Sequence, residues 1–280
     1  MFLIQWQVFC ILNTKQNYKA MKTIISIFII TAVLVGMTSS TNISYPKIQS
    51  KSFTSGEKLT YRISYGIMDA GEAVLTVKET KKKGANGRPL YHVKGEGKTL
   101  GAFNWFYKVE DVYESYVDKT GVFPWLFLRD INEGGYEKEQ EYVFAQDKQK
   151  VVSKGKEYKV PLGVQDMISS FYYARTLDFK NMKVGDVSEF KVFMDEDVWP
   201  LKVRYVGKED IKIRKGTFEC LKFQPVVQQG RYFEKEDDVE FWVTNDANRI
   251  PVLVKAKIPV GSIKMHLVDW EGLVGDIAIK

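Results

Sequence analysis

Apolar and polar residues alternate along several short segments of this chain. In KLTYRISY, residues 58–65, every odd-numbered position holds Leu, Ile or Tyr and every even-numbered position holds Lys, Thr, Arg or Ser. Successive side chains of a β-strand point to opposite faces, so this pattern predicts a half-buried strand. Similar alternation recurs in EYVF, EFKVFM, LKVRYV, FECLKFQP, VEFWV and SIKMHLVDW, and turn-like segments such as GANGRP, NEGG, SKGK, RKG and TNDAN separate the strands. Many short strands joined by tight turns predict a mainly β fold, either a curved antiparallel sheet or a partly open barrel.

One segment has the periodicity of a helix instead. In GVQDMISSFYYARTLDF, residues 163–179, the spacing i, i+1, i+4, i+5, i+8 relates five side chains: Met167, Ile168, Phe171, Tyr172 and Arg175. This spacing places them on one face of a helix. We therefore predict one connecting helix, over about residues 164–178, that packs on the sheet.

The helical segment also contains residues that could be catalytic. Ser169 or Ser170 would need a nearby base and an orienting acid to act as a nucleophile. The only two histidines are His92 and His266, and neither adjoins a recognisable partner motif. Asp166 has the residue type and position of a helix N-cap. We therefore predict no catalytic residue, and we assign structural roles to Asp166, Phe171, Tyr172 and Arg175.

Two pairs of segments resemble each other in the two halves of the chain. GEKLTYRISYGIMDAGEAVLTV and VGDVSEFKVFMDEDVWPLKVRYV both contain a glycine and an acid, a strand, a turn and a second strand. VEDVYESYVDKTGVFPWLFL and KEDDVEFWVTNDANRIPVLV share an acidic start, an aromatic strand, a polar turn and a proline-led apolar strand. Such similarity indicates either a duplication or convergent strand patterning. We predict two similar β modules, residues 41–160 and 181–280, joined by a helical connector at 161–180.

The first 40 residues are interpreted as an upstream segment and a signal peptide. MKTIISIFIITAVLVGMTSSTN begins at Met21 and has a positive Lys22, an apolar run from Ile24 to Val35 and then small residues. This is the pattern of a secretory signal peptide, and the apolar run is shorter than the ~20 residues of a membrane-spanning helix. Because a signal peptide normally begins at its own positive region, we predict that translation starts at Met21.

Removal of the leader changes the charge and the cysteine content. The whole chain has a net charge of +6, but residues 1–40 contain three lysines and no acid, which leaves 38 basic against 35 acidic residues and a net charge of +3. So small an excess gives little support to a nucleic-acid partner, and we predict none. Cys10 leaves with the leader, so Cys220 remains alone and no internal disulfide can form.

Motifs for metal or cofactor chemistry are missing from the sequence. A transition-metal site needs His, Cys and carboxylate groups at close spacing, and neither YHVKG nor KMHLVD has a second His or Cys nearby. The glycines of VKGEGKTLGA, at 95, 97 and 101, miss the dinucleotide-binding spacing, and we interpret this segment as a turn. We predict no metal and no cofactor. The sequence neither excludes nor identifies a pair of catalytic carboxylates, because its 35 acidic residues are scattered through the chain.

Aromatic residues make up 14% of the chain, which is a high share. Most such rings pack in a protein core, but a curved antiparallel sheet can also enclose an apolar or sugar-stacking groove. We take five of them as candidate ligand-binding residues: Phe103, Trp105, Tyr107, Trp125 and Trp242. The ligand predicted for them is a lipid or a glycan of the cell envelope.

Four segments carry a resemblance to a known family. SFTSGEKLTYRISYGIMDAGEAVLTV, VQDMISSFYYARTL, GTFECLKFQPVV and WVTNDANRIPVLVKAKIPVGSIKMHL resemble, in order and spacing, the bacterial domain of unknown function 3108 (DUF3108) family. The most specific pieces are Gln165 and Asp166 at the helix start, Arg175, and the NRIPV strand. The resemblance covers nearly all of residues 51–271. It implies an exported, β-rich protein of a Gram-negative bacterium, with no established activity, and a curved sheet around a helix similar to the periplasmic lipoprotein carriers.

These observations leave three functional hypotheses. The first is a non-catalytic protein of the periplasm or outer envelope that binds or carries a hydrophobic, lipid-like ligand inside a curved sheet and can associate peripherally with a membrane. The second is a hydrolase of envelope polysaccharide or lipid, which carboxylates converging in one pocket with raised pKa values would favour. The third is an interaction module that pairs through its sheet edges, which a filled interior and unprotected edges would favour. The export signal, the aromatic strands and the missing catalytic motifs favour the first.

Overall fold

Fourteen antiparallel strands form one sheet in the part of the chain that the structure describes. The computed structural model describes residues 44–48, 52–179, 181–226, 238–257 and 261–280. The predicted leader, residues 1–40 with the start at Met21, lies outside these residues. Within them, the mainly β, curved antiparallel fold with one connecting helix is confirmed.

The secondary structure elements follow the turns that the sequence predicts. The first eight strands are β1 (Lys58–Tyr65), β2 (Met68–Lys83), β3 (Pro89–Thr99), β4 (Glu110–Asp118), β5 (Pro124–Glu133), β6 (Tyr136–Ala145), β7 (Lys150–Ser153) and β8 (Lys156–Lys159). The remaining strands are β9 (Val187–Met194), β10 (Asp197–Ile213), β11 (Gly216–Pro225), β12 (Val239–Thr244), β13 (Pro251–Lys257) and β14 (Ser262–Glu271). The two described α-helices are α1 (Gly101–Phe106) and α2 (Met167–Arg175).

The two halves of the chain meet through their first and last strands. The strand order is β8-β7-β6-β5-β4-β3-β2-β1-β14-β13-β12-β11-β10-β9, so β1 pairs with β14 in the middle of the sheet. In that pair Lys58 lies opposite Glu271, and Ile63 lies opposite Met265. The four segments whose similarity suggested a duplication form the hairpins β1–β2, β9–β10, β4–β5 and β12–β13. They belong to one continuous sheet, and the duplication itself stays a prediction.

The sheet curls until its two edges approach each other without closing into a barrel. The rings of Tyr142 on β6 and Tyr158 on β8 lie 5.1 Å and 5.5 Å from the ring of Phe193 on β9. The chain then crosses the gap, where Gln165 makes a parallel bridge to Val192 of β9. Strand β8 is only four residues long, with exposed Lys and Glu side chains. A short charged strand and a bridged strand are poor templates for pairing with another chain, which weakens the edge-pairing hypothesis.

Helix α2 lies inside the curled sheet. Seven of its nine residues are buried: Met167, Ile168, Ser169, Ser170, Phe171, Tyr172 and Arg175. Its apolar side chains join the main core, which the inward-facing residues of the strands of both halves supply. A Cβ atom at Gly95 of β3 would lie 3.0 Å from Cδ1 of Ile168, so a glycine there lets the helix approach the sheet closely.

The glycine-rich segment before α1, interpreted from the sequence as a turn, is mostly strand in the structure. Gly95 and Gly97 lie within β3, paired on one side with β2 and on the other with β4. Only Gly101 breaks the strand, with a φ of 54°, and α1 starts there. The turn interpretation was therefore wrong, because close packing against α2, rather than chain reversal, requires the small residue at 95. No helix in the described ranges is long and apolar enough to cross a membrane.

Candidate functional site

The N-terminus of α2 is fixed by hydrogen bonds of Asp166. Its Oδ1 accepts hydrogen bonds from the backbone N–H groups of Ile168 and Ser169, at 2.8 Å and 2.7 Å, and the Ser169 hydroxyl reaches back to the Asp166 N–H at 2.8 Å. The Ser115 hydroxyl of β4 donates to Oδ2 at 2.5 Å. This is a complete capping box. Burial nevertheless raises the pKa of Asp166 to about 6, against the hydrogen bonds that favour its charged form.

The C-terminal end of α2 is held by a buried ion pair. The Arg175 guanidinium donates to both carboxylate oxygens of Glu57, each at 2.7 Å, and also to the carbonyl oxygens of Ser52 at 2.6 Å and Asn248 at 3.0 Å. Neither charged side chain is more than 2% exposed. Because Glu57 precedes β1 and Asn248 lies between β12 and β13, this one side chain ties the helix to both halves of the sheet.

The serines of α2 have structural partners. The Ser170 hydroxyl donates to the carbonyl oxygen of Met167 at 2.7 Å, and the Ser169 hydroxyl belongs to the capping box. Phe171 and Tyr172 pack edge to face with ring centroids 5.1 Å apart, and Tyr172 also meets Phe53 at 4.7 Å. These contacts are what the structural assignment of α2 predicts.

A small apolar cavity remains between α2 and the inner face of the second half. Its volume is about 40 Å³. Its walls are Phe171, Leu177, Phe179, Val203, Phe223, Phe241, Val243 and Pro251, with Arg175 and Arg249 at one side. Pockets that enclose a drug-sized ligand usually measure about 300–1,000 Å³. This cavity is therefore too small to hold an acyl chain.

Arg249 at this cavity has carbonyl partners. Its guanidinium donates to the carbonyl oxygens of Arg175, at 3.1 Å, and of Leu177, and it lies 5.0 Å from the ring centroid of Phe179. Burial lowers the pKa of Arg249, because desolvation disfavours its charge. These contacts fix the chain that follows α2 against the turn between β12 and β13.

Two buried carboxyl groups converge on the inner face of β4 and β5. Burial, and then the neighbouring charge of Glu133, raise the pKa of Asp111 to about 8, and burial also raises the pKa of Glu133. A hydrogen bond between the two side chains also contributes to the raised pKa of Asp111, because it favours the protonated form. Both residues are at most 5% exposed, and neither lines the cavity beside α2. The raised pKa values are those expected of a hydrolase, but these carboxyl groups line neither of the two cavities found among the described residues.

The two histidines lie apart, on the outer face of the sheet. His92 Nε2 is 2.5 Å from Glu114 Oε2, and its ring stacks on Tyr116 at 4.7 Å between centroids. Burial lowers the pKa of His266 on β14. Among the residues that the structure describes, no group of three His, Cys, Asp or Glu side chains could hold a metal ion.

Exposed apolar side chains gather at one end of the sheet. Consecutive antiparallel strands reverse direction, so the β1–β2 turn, the β3–β4 connection with α1, and the β5–β6 turn all lie at the same end. Six exposed side chains of these three connections define what we call the aromatic end: Ile67, Met68, Trp105, Phe106, Tyr107 and Tyr136. Every large aromatic side chain that is exposed in the described part of the chain belongs to this set.

The aromatic end is held together by backbone contacts between its connections. The Leu100 N–H before α1 donates to the Ala70 carbonyl oxygen of β2 at 2.9 Å, and the Gly134 N–H donates to the Lys108 carbonyl oxygen at 2.7 Å. The Tyr107 ring lies so close to Gly134 that a Cβ atom there would approach it to 2.3 Å. Trp105 and Phe106, by contrast, are 83% and 76% exposed and touch each other edge to face. The connections are thus hydrogen-bonded to their neighbours, while the rings of Trp105 and Phe106 lie in solvent.

The five candidate ligand-binding residues do not form one site. Phe103 and Trp105 lie in α1 and Tyr107 directly follows it, and Phe103 is half-buried. Trp125 is buried in a cluster on the outer face near the opposite end, and its indole N–H donates to Asp118 at 3.2 Å. Trp242 is buried in a second outer cluster, and its N–H donates to Glu209 at 2.8 Å. None of the five lines the cavity beside α2.

Sequence reasoning missed several residues of these sites. Ile67 lies in the β1–β2 turn and Met68 begins β2, and an exposed apolar pair at such a place is itself a signal of an interaction surface. Glu57, the partner of Arg175, carries no such signal, because a glutamate before a strand is ordinarily a solvated residue. Arg249 lies in a polar turn, and only its neighbours in space show that it is buried.

Comparison with known proteins places the chain in a family. The family model described as "Protein of unknown function (DUF3108)" matches residues 60–268, and the chain therefore belongs to this family, as its sequence resemblance indicated. No curated protein matches the chain.

One solved structure shares the fold at low sequence identity, and a second is less similar. A β-barrel-like protein of the domain of unknown function DUF1849 from Brucella abortus is 9% identical, with a TM-score of 0.51, and the match covers 80% of this chain and 100% of the other. The hypothetical protein CT021 from Chlamydia trachomatis is 9% identical, with a TM-score of 0.35, and the match covers 81% of this chain and 92% of the other. The first likeness supports a β-barrel-like architecture and nothing further.

Proposed function

We propose that this member of the DUF3108 family is an exported, non-catalytic protein of the cell envelope that binds a hydrophobic, lipid-like ligand through its aromatic end. The observation that carries the proposal is the placement of every exposed aromatic side chain of the described residues at that end. Exposed apolar groups clustered in this way mark sites that bind other apolar surfaces. The other large apolar side chains that are exposed in the described ranges are four valines and one isoleucine.

The chemistry of these side chains favours lipid as the ligand. Trp and Tyr are enriched where membranes meet water, because their rings are apolar and their N–H or O–H groups are polar. Ile67 lies in the β1–β2 turn and Trp105 and Phe106 lie in α1, all exposed, so they can enter an acyl layer without needing a matching groove. Nearby charges are paired within the protein, as Lys98 is with Glu72 at 3.5 Å and Lys108 with Glu110 at 2.9 Å. Apolar insertion, rather than attraction to anionic headgroups, would then supply the affinity.

The remainder of the structure supports a binding role more than catalysis or internal carriage. The inner cavity of about 40 Å³ is small for a lipid chain. The only converging carboxyl pair described above, Asp111 and Glu133, is buried away from that cavity. Export rests on the leader pattern at residues 21–42. The compartment that we propose is the periplasm or the outer envelope of a Gram-negative bacterium, with peripheral contact to a membrane.

Cosedimentation with phosphatidylcholine vesicles tests this function. We expect the wild-type protein to pellet with the vesicles, and the triple variant I67N/W105N/F106N to lose at least about tenfold in apparent affinity, because about 0.8 kcal/mol is lost per buried methylene group. The matched control is V184N/V187N/V274N, which changes three exposed apolar residues away from the aromatic end. Equal binding by both triple variants, or no binding by the wild type, would contradict the proposal.

A further inference from the structure

A second recess lies on the outer surface, near the end opposite the aromatic end. It is bounded on one side by the end of β2 and on the other by the end of β6 with the following turn, and its volume is about 480 Å³. We call it the lysine groove and define it by its principal lining residues: Lys82, Lys83, Leu90, Tyr116, Trp125, Leu126, Val143, Asp147 and Lys148. The volume lies within the range of small-molecule sites.

The floor of the lysine groove is apolar. Leu90, Tyr116 and Trp125 are buried members of one outer cluster, against which Leu126 packs. Val143, near the end of β6, is 42% exposed beside them. The Trp125 N–H is already bonded to Asp118, so the indole contributes its apolar ring to the floor. Such a floor suits a hydrocarbon chain.

The rim of the groove carries unneutralised positive charge. In the described part of the chain, Lys82, Lys83 and Lys148 have no carboxylate oxygen within 4.0 Å. Lys119 and Lys150, by contrast, are paired with Glu79 and Glu157, each at 2.5 Å. Lys82 Nζ instead lies 3.9 Å from the Tyr116 ring centroid, which holds one positive charge directly over the floor.

Charge and apolar surface together specify the occupant. Three lysines and one aspartate, Asp147, line the groove, so the ligand that complements it is anionic. Strands β4, β5 and β6 are each paired on both sides, so a peptide would find no free main-chain groups to bind. We infer that the lysine groove binds a single-chain anionic amphiphile, with its hydrocarbon chain on the Leu126–Val143 floor and its phosphate or carboxylate head among the three lysines. This inference does not depend on the function proposed for the aromatic end.

Calorimetric titration with decyl phosphate tests the inference. We expect saturable 1:1 binding that tightens roughly fifteenfold from octyl to decyl phosphate, because two further methylene groups are buried. Decyl maltoside, with the same chain and a neutral head, should bind at least about tenfold more weakly, and inorganic phosphate should not bind measurably. Equal binding of decyl maltoside would show that the lysines do not contribute to affinity and would contradict the inference. Binding of inorganic phosphate as tightly as decyl phosphate would make the groove a free-anion site and overturn the inference.

Two variants with matched controls localise the binding. K82Q/K83Q/K148Q should weaken decyl phosphate binding at least about tenfold, whereas K208Q/K215Q/K280Q, which removes the same charge elsewhere, should change it less than about twofold. V143D should abolish binding, and V187D, at another exposed strand valine, should not. Thermal unfolding of each variant checks that it is folded. The assignment would be contradicted if a variant and its matched control both lost affinity, or if neither did. Amide shifts from labelled protein should change around Val143 and not at the aromatic end.

Discussion

The guanidinium of Arg175 and the carboxylate of Glu57, 118 residues apart in the chain, form two parallel hydrogen bonds of 2.7 Å inside the curled sheet. Ser52 completes the arrangement, because its hydroxyl donates to the Arg175 carbonyl oxygen at 2.6 Å while its own carbonyl oxygen accepts from the guanidinium. The helix that the sequence marks as a connector is therefore fixed at its C-terminal end by residues that precede the first strand.

Removing one partner of this pair should destabilise the protein strongly. In the variant Glu57→Ala the Arg175 charge would stay buried without its counter-ion, which typically costs about 3–5 kcal/mol. The free energy of unfolding, measured by urea denaturation, should fall by that amount. The matched control is Glu271→Ala, which breaks the exposed pair with Lys58 and should cost about 0–1 kcal/mol. Similar losses in the two variants would show that the buried pair is not an anchor.

Phe171→Ala should also lower the free energy of unfolding. Phe171 is 9% exposed and borders the existing cavity, so truncation enlarges a void that the helix cannot collapse to fill. Phe→Ala substitutions in cores cost about 3–5 kcal/mol. Phe106→Ala, at an exposed ring of the aromatic end, should leave the free energy of unfolding within about 0.5 kcal/mol of the wild type. An unchanged melting temperature for Phe171→Ala would refute the core role of α2.

Stability should fall as the pH rises from about 4 to about 8. Asp111 and Asp166 have ordinary pKa values of 3.8 that the fold raises to about 8 and about 6. In that window the folded protein keeps protons that the unfolded chain has released, so the free energy of unfolding decreases with pH, by up to about 1.4 kcal/mol per pH unit for each such proton. The contribution of these two protonated carboxyl groups to stability is fully present below about pH 4, and it is lost as the pH rises through the pKa of each group in the folded protein.

The variant Asp111→Asn isolates one contribution to this dependence. Asparagine cannot ionise, so the fall in the free energy of unfolding between pH 5 and pH 8 should be shallower than in the wild type. Asp130→Asn, at an exposed position of β5, should keep the wild-type slope. Denaturation midpoints at several pH values measure both. A slope in Asp111→Asn as steep as in the wild type would show that the pKa of Asp111 is not raised in the folded protein.

Trp105 should report contact with lipid directly. Its ring is 83% exposed, whereas Trp125 and Trp242 are buried, so added vesicles should shift the emission of Trp105 to shorter wavelength. The difference spectrum between the wild type and Trp105→Phe isolates this residue. Vesicles carrying a brominated acyl chain should quench the wild type and leave Trp105→Phe nearly unquenched. Equal quenching of the two proteins would place the lipid away from the aromatic end.

Native mass spectrometry of protein released gently from the periplasm of an expressing cell checks the export prediction. We expect a chain that begins near Thr41, because the small residues after the apolar run form the cleavage region. A lipid-sized adduct on that chain would further support ligand binding. A chain that begins at Met1 or Met21 would contradict cleavage of the leader.

Much of the local structure was predictable from the sequence. Alternation in KLTYRISY gave β1 at Lys58–Tyr65 without a change of boundary, and the helix predicted over about 164–178 is α2, Met167–Arg175. The glycine-rich segment was misread, because Gly95 serves packing against Ile168 and no local pattern distinguishes this use from a turn. The five aromatic candidates were chosen for their residue type, which does not tell whether a ring faces solvent, the core or an outer cluster.

The sequence by itself determined the strands, the connecting helix with its capping aspartate, the family and the pattern of an export signal. These depend on neighbouring residues, because side-chain periodicity and capping act over a few positions. Tertiary structure decided the rest. Pairing of β1 with β14 brings Lys58 opposite Glu271, 213 residues away, and curls the sheet around α2. In the curled sheet Arg175 is buried against Glu57, Trp105 and Phe106 lie in solvent, and three lysines without a carboxylate partner lie over the apolar floor of the lysine groove. Burial and charge pairing depend on residues distant in the chain, and no local pattern records which of them will meet.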